Sequence, residues 1–268
     1  MGKTPLSKSS RLFLRAAIIV GVIITLKLLA HYAGWESISL NPLFSGIVAA
    51  NVFLMSFLLS GVLSDYKESE RLPGELATSL ETIAEEVRGI CIARPEADGQ
   101  PCLACVAALA RDIVQWFHKQ HRTSELMDDL NRLTDHFAAL EKWTQATFLT
   151  RLKQEQANIR RTITRIHTIR ETSFISSGYL VADATTVFLC VGLVLVRIDP
   201  FYESLFFVGT IAFLLVFLLL LIRDLDNPFG YYEGGSGEDV SLKPLTDTIA
   251  RIESLVGNDK YTVQEERR

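Results

Sequence analysis

The chain lacks most of the devices by which a protein of its size does chemistry. Its four cysteines, Cys91, Cys102, Cys105 and Cys190, are too few and too scattered for a disulfide framework. No glycine-rich phosphate loop, nucleophile–base pair or other catalytic motif occurs, so no enzymatic activity is expected. Basic charge is not in excess: 27 Lys and Arg against 31 Asp and Glu give a formal net charge of −4, no footprint for nucleic acid. Helix breakers are missing from two intervals. No Gly or Pro lies between Gly61 and Pro73, and none between Pro101 and Gly178.

What is abundant is apolar surface. Hydrophobic residues make up 49% of the 268, and the mean hydropathy is +0.23, too high for an ordinary soluble domain. The hydrophobicity concentrates in residues 11–64 and 173–222, with a charged stretch between them. Four membrane helices follow. The first, Leu12 to Ala30, has a charge-free run from Ala16 to Leu26 that would also suit a signal-peptide core. No small-x-small cleavage site follows Lys27, and Arg15 and Lys27 are long enough to snorkel to the interfaces, so it is read as a spanning helix. The second runs from about Pro42 to Ser64, the third from Ser173 to Val196 and the fourth from Leu205 to Ile222. Short links carrying Trp35, Phe201 and Tyr202 place aromatics at the interface and predict two hairpins, helices 1 with 2 and 3 with 4.

Between the hairpins, residues 65–172 read as soluble helices. Leu76, Leu80, Ile83, Val87 and Ile90 recur at three and four residues, and ARPEADGQP from Ala93 is the clearest loop. A helix is expected from Leu103 to about Lys119. Thr123 or Ser124 would cap a further long helix, whose stripe runs from Leu126 through Leu130, Leu133, Phe137, Leu140, Phe148, Leu152, Ile159 and Ile163 to Ile166. That stripe needs partners, either other soluble helices or neighbouring subunits. The expected organisation is thus a tail at 1–10, a membrane hairpin at 11–64, a cytosolic helical region at 65–172, a second hairpin at 173–223 and a cytosolic tail at 224–268, which ends in an amphipathic helix through Leu245, Ile249, Ile252 and Leu255. Lys3, Lys8, Arg11, Arg15, Lys67, Arg71, Arg165, Arg170 and Arg223 flank the helices on one side, so both termini and the middle region are predicted cytoplasmic. The cysteines of the middle region would then be reduced thiols.

Three features invite a functional reading. On the second helix, at about 100° per residue, Ser45, Val48, Ala49, Val52, Ser56 and Leu59 form a face of smaller residues. Ile47, Leu54, Phe57 and Leu58 fall opposite. A small-residue stripe in lipid marks either helix packing or the wall of a pore, and spacing alone leaves both open. Cys102 and Cys105 with His118 and His121 imitate zinc-finger spacing, but the intervening VAALARDIVQWF reads as one helix. At 1.5 Å per residue that helix holds Cys105 and His118 about 20 Å apart, so ordinary thiols and no metal are expected. Asp183, within GYLVADATTVF, is either an intramembrane carboxylate facing protein or water, or an interfacial one if the third helix starts later.

Two stretches resemble the bestrophins. LSDYKESERLPGELATSLE is similar to the exit of their second membrane helix, and LIRDLDNPFGYYEGGSGEDVSLKPLTDTIARIE looks like their signature after the fourth, with Asn227, Pro228, Phe229 and Gly230 matching without gaps. The order of two helices, soluble helical region, two helices and tail agrees across nearly the whole chain. The resemblance implies an all-α, four-helix membrane protein that forms a homo-pentameric ion channel in the cell membrane, its pore lined by the second helix. Aligned from Glu70, Leu72 and Pro73, the three neck positions of the family fall on Val48, Val52 and Ser56. Those positions lie on the small face found from spacing. Ser56 stands where the family has a bulky residue, which implies a wider neck. Glu233, Glu238 and Asp239 are thinner than the calcium clasp of animal bestrophins, and no cofactor is expected. Inorganic ions and the bilayer are the implied partners. Anion conduction is the expectation, although bacterial relatives can favour cations. The alternative is a non-conducting membrane protein whose cytosolic helices bind a partner, with the small face of helix 2 packed on helix 1.

Overall fold

The computed structural model describes residues 8–171, 176–231 and 239–265. Within them the chain is all-α. Eight helices occur among the described residues: α1 Lys8–Tyr32, α2 Pro42–Ala93, α3 Gln100–Phe117, α4 Thr123–Leu140, α5 Ala146–Glu171, α6 Ser176–Leu195, α7 Phe201–Leu225 and α8 Lys243–Glu265. Four of them, α1, α2, α6 and α7, contain segments long and apolar enough to cross a membrane. The chain divides into two compact units. One takes the described residues up to Tyr66, those from 176 to Pro228 and Asp239; the other takes Lys67–Glu171, Phe229 to Tyr231 and residues 240–265.

In the first unit, α1 packs chiefly along α7 and, to a lesser extent, α6. Ala16, Val20 and Ile23 of α1 bury against Val208, Ala212 and Val216 of α7 and Leu193 of α6. The expected hairpin of helices 1 and 2 thus has α1 burying mainly on α7 and α6, with Phe44 of α2 at the edge of that cluster. A short link fixes which ends are close, but the side chains decide which faces meet, and α2 turns its apolar side elsewhere. Met55, Leu58 and Val62 of α2 cluster with Ala182 and Leu189 of α6 and with Leu215, Ile222 and Leu225 of α7. The links are tied as well: β1, Ile38–Ser39, pairs in parallel with β2, Val196–Arg197.

Lys27 does not snorkel. It is fully buried, its ammonium 2.6 Å from Glu36 Oε1 and also donating to the Val196 carbonyl. His31 Nδ1 lies 3.0 Å from the other Glu36 oxygen, and its ring stacks on Phe201 with centroids 3.8 Å apart. A buried ammonium is tolerable only when paired and hydrogen-bonded, which this cluster provides. Burial pushes the Glu36 carboxyl up. Hydrogen bonds from Lys27 and His31, with their charges, outweigh that and hold it below its ordinary value of 4.5.

α2 does not stop at Ser64. It is one helix of 52 residues with Pro73 in its interior, as the lack of Gly and Pro between Gly61 and Pro73 allows. In the second unit its apolar stripe Leu76, Leu80, Ile83, Val87 and Ile90 is buried as the periodicity requires. The expected long helix after Thr123 is instead two. A short 3-10 turn at Glu141–Trp143 and an extended Thr144 separate α4 from α5. Without Gly or Pro to mark it, the break follows from packing: α4 packs on both α3 and α5, and the stripe apart from Phe148 is buried. Gln156 of α5 pins α4, donating to the Leu130 carbonyl at 2.7 Å. Phe148, which the stripe included, is 44% exposed. The cap of α4 is the Glu125 carboxylate, which accepts from the Arg122 backbone N–H at 3.2 Å; Thr123 instead accepts from the Trp116 indole at 2.9 Å.

Candidate functional site

The small face of α2 lies at the margin of the first unit. Ser45, Ala49 and Ser56 are exposed, whereas Val48, Val52 and Leu59 are half-buried. The three half-buried residues lean on the cluster formed with α6 and α7. The larger opposite side is split: Leu58 is buried in that cluster, Leu54 half-buried, and Ile47 and Phe57 exposed. The Ser56 hydroxyl turns back to the Val52 carbonyl at 2.8 Å, the usual way a helical serine satisfies its proton in an apolar setting. At the start of α2 the Phe44 ring sits on Gly192 of α6, where a Cβ would stand 2.9 Å from the ring. A side chain at 192 would push the two helices apart.

One polar group of this helix was missed. Asn51, beside Val52, is 4% exposed and bonded to α6. Its Oδ1 accepts from Thr185 Oγ1 at 2.6 Å and its Nδ2 donates to Thr186 Oγ1 at 3.4 Å. The signal was present in the sequence as an amide inside an apolar run, which calls for a partner in lipid.

Asp183 is 34% exposed and pairs with Arg223 at 2.5 Å. Arg223 stands in the last turn of α7, so the Asp183 carboxylate has a cationic partner at that helix end. One turn earlier on α6, the Tyr179 hydroxyl donates to Asp226 at 2.7 Å. Two polar clasps therefore hold the N-terminal half of α6 to the end of α7.

Asn227 and Pro228 fall in the first unit, Phe229 and Gly230 in the second. Phe229 is fully buried, its ring 5.5 Å from that of Phe117 at the end of α3. Tyr231 lies edge-on to Phe117, and its hydroxyl donates to the Val240 carbonyl. Arg170 covers Trp116 with its guanidinium 5.0 Å from the ring and donates to the Trp116 carbonyl at 3.2 Å. The role visible for Phe229 is that of an anchor.

The cysteines and histidines point to separate partners. Cys102 is buried on α3, and burial pushes its thiol up to about 12, with the neighbouring Cys105 and Cys91 adding to the effect. His118 Nδ1 approaches the Val114 carbonyl at 2.9 Å, and His121 Nε2 approaches Asp129 at 3.0 Å. No cluster of metal-ligating side chains occurs among the described residues. Glu233 and Glu238 lie outside the described residues; Asp239 is within them.

The architecture is that of an all-α membrane protein with a bestrophin-like fold. No protein-family profile and no curated protein matches the sequence. Solved structures do. A point mutant of a bacterial bestrophin homolog from Klebsiella pneumoniae superposes with a TM-score of 0.75 at 17% identity, covering 92% of this chain and 99% of that one. Another mutant of a bacterial bestrophin homolog from the same organism gives 0.75 at 16% identity over 96% and 100% of the two chains. A further membrane protein structure gives 0.77 at 16% identity over 90% and 98%.

Proposed function

We propose that this chain is a homo-oligomeric ion channel, a pentamer, whose pore is lined by α2. The observation that supports the reading is a small-residue face on the second membrane helix of a bestrophin-like fold, exposed at Ser45, Ala49 and Ser56 and half-buried at Val48, Val52 and Leu59. In this reading Val48, Val52 and Ser56 form the constriction, with Ser45, Ala49 and Leu59 on the same wall. Rings of apolar side chains at Val48 and Val52 gate by excluding water, and the serine ring leaves the inner end wider. Residues 1–10, 65–172 and 224–268 are cytoplasmic, and anions are the conducted species. The alternative, with the small face packed on helix 1, is not supported by the clusters, in which α2 buries with α6 and α7.

The test is ion flux from liposomes containing the purified protein. Val52→Ala should raise flux above wild type and Val52→Phe should suppress it while the complex stays assembled. Flux that does not respond to either change removes Val52 from the gate. Replacing chloride with a large organic anion, and separately potassium with a large organic cation, reads the selectivity.

A further inference from the structure

We propose that Asn51, held by Thr185 and Thr186, is a positioning residue that sets the rotational register of α2 and so decides which of its residues face the constriction. The inference rests on the pore reading for what the register serves, but the register itself is a property of the first unit. Asn51 lies about 1.5 Å along the helix axis from Val52 and about 4.5 Å from Val48, so it acts at the level of the constriction. It projects about 100° away from Val52, towards α6.

The buried side chains that follow on α2, Met55, Leu58 and Val62, are apolar. Their attraction is non-directional; it resists separation of the helices but says little about rotation. Hydrogen bonds are directional, and an amide without partners in lipid is costly. Thr186 sets how the amide is oriented, while the single Thr185 Oγ1 proton is shared between Asn51 Oδ1 at 2.6 Å and the Val181 carbonyl at 2.7 Å. Thr186 Oγ1 has its proton on the Ala182 carbonyl at 2.6 Å, so it can only accept from Asn51. The Asn51 Nδ2 therefore faces Thr186, and the Oδ1 is left to accept from Thr185 at 2.6 Å. Both ends of the amide are used. A turn of α2 by one residue's azimuth would break both bonds and bring Phe53 or Asn51 towards the place of Val52.

The experiment measures register directly, in lipid nanodiscs, by pulsed electron spin resonance. Spin labels are attached through Phe57→Cys on α2 and Phe188→Cys on α6, both exposed positions, in a chain whose four native cysteines are replaced by serine or alanine. Labelled chains are diluted with unlabelled ones so that only the distance within one chain is read. The parent should give one narrow distance. In Asn51→Leu, and in the milder Thr185→Val, the distribution should broaden or shift by up to roughly 8 Å, the chord a label at about 5 Å from the axis travels in a turn of about 100°. Thr185→Ser, which keeps the hydroxyl, should restore the parent distance. Should Asn51→Leu fail to assemble, Thr185→Val alone decides. An unchanged distance in an assembled variant overturns the proposal. Liposome flux is run on the same proteins. Altered flux together with an altered distance supports both readings, whereas an altered distance in a protein that passes no ions upholds the clamp and removes the channel.

Discussion

Glu36 shows how one residue fixes the behaviour of its neighbours. It neutralises a fully buried ammonium, accepts from an imidazole and connects the link after α1 to the carbonyl of Val196 through Lys27. Its carboxyl is held below 4.5, so the folded state binds its proton less readily than the unfolded chain does. The stabilisation is complete above its unfolded value and is lost as pH falls through the lower folded one. Melting temperatures measured from pH 6 down to pH 3 in detergent should fall more steeply for wild type than for Glu36→Gln, which is already weakened at pH 6. Parallel curves would mean that the Glu36 carboxylate contributes nothing to the acid limb.

At the scale of elements, Phe229 and Tyr231 are attached to the end of α3 within the second unit by their aromatic rings. Phe229 is buried against Phe117, with Tyr231 and Trp116 close by on the same helix end. Replacing it with alanine removes the ring and leaves a cavity, a loss of about 3–5 kcal/mol in other proteins. Phe229→Ala should therefore lower the thermal midpoint of the second unit by several degrees, whereas Phe229→Leu should lower it less. A midpoint that does not move would show that the anchor is elsewhere. The pinned α4–α5 pair makes the same point: a stripe that reads as one surface is satisfied by a fold-back, which needs Gln156 and a 3-10 turn and no neighbouring chain.

For the whole molecule, the prediction is assembly. Mass photometry or light scattering of the detergent-purified protein, with detergent subtracted, should give five chains of 30.0 kDa, about 150 kDa. A monomer or dimer that persists in nanodiscs would leave the small face of α2 without an axis to face, and the channel reading would fall while the fold would stand. The open residues Ser45, Ala49 and Ser56 are then the place to look for a different partner.

The sequence by itself determined the class of fold, because its strongest signals are physical demands of a bilayer: four long apolar runs, charges at their ends and amphipathic stripes between them. The candidate face of α2 comes from the same kind of signal, since 100° per residue needs no tertiary information, but what that face meets does not follow from it. Tertiary structure alone decided what touches what. Lys27 read as an interfacial cation until its partners, Glu36 and a carbonyl 169 residues away, were in place. Asn51 was silent without Thr185 and Thr186, which lie more than 130 residues further along the chain. Asp183 had no visible partner until Arg223 stood beside it. Each of these depends on a pairing between distant segments. Such pairings follow from the packing of whole helix faces, which no local periodicity encodes.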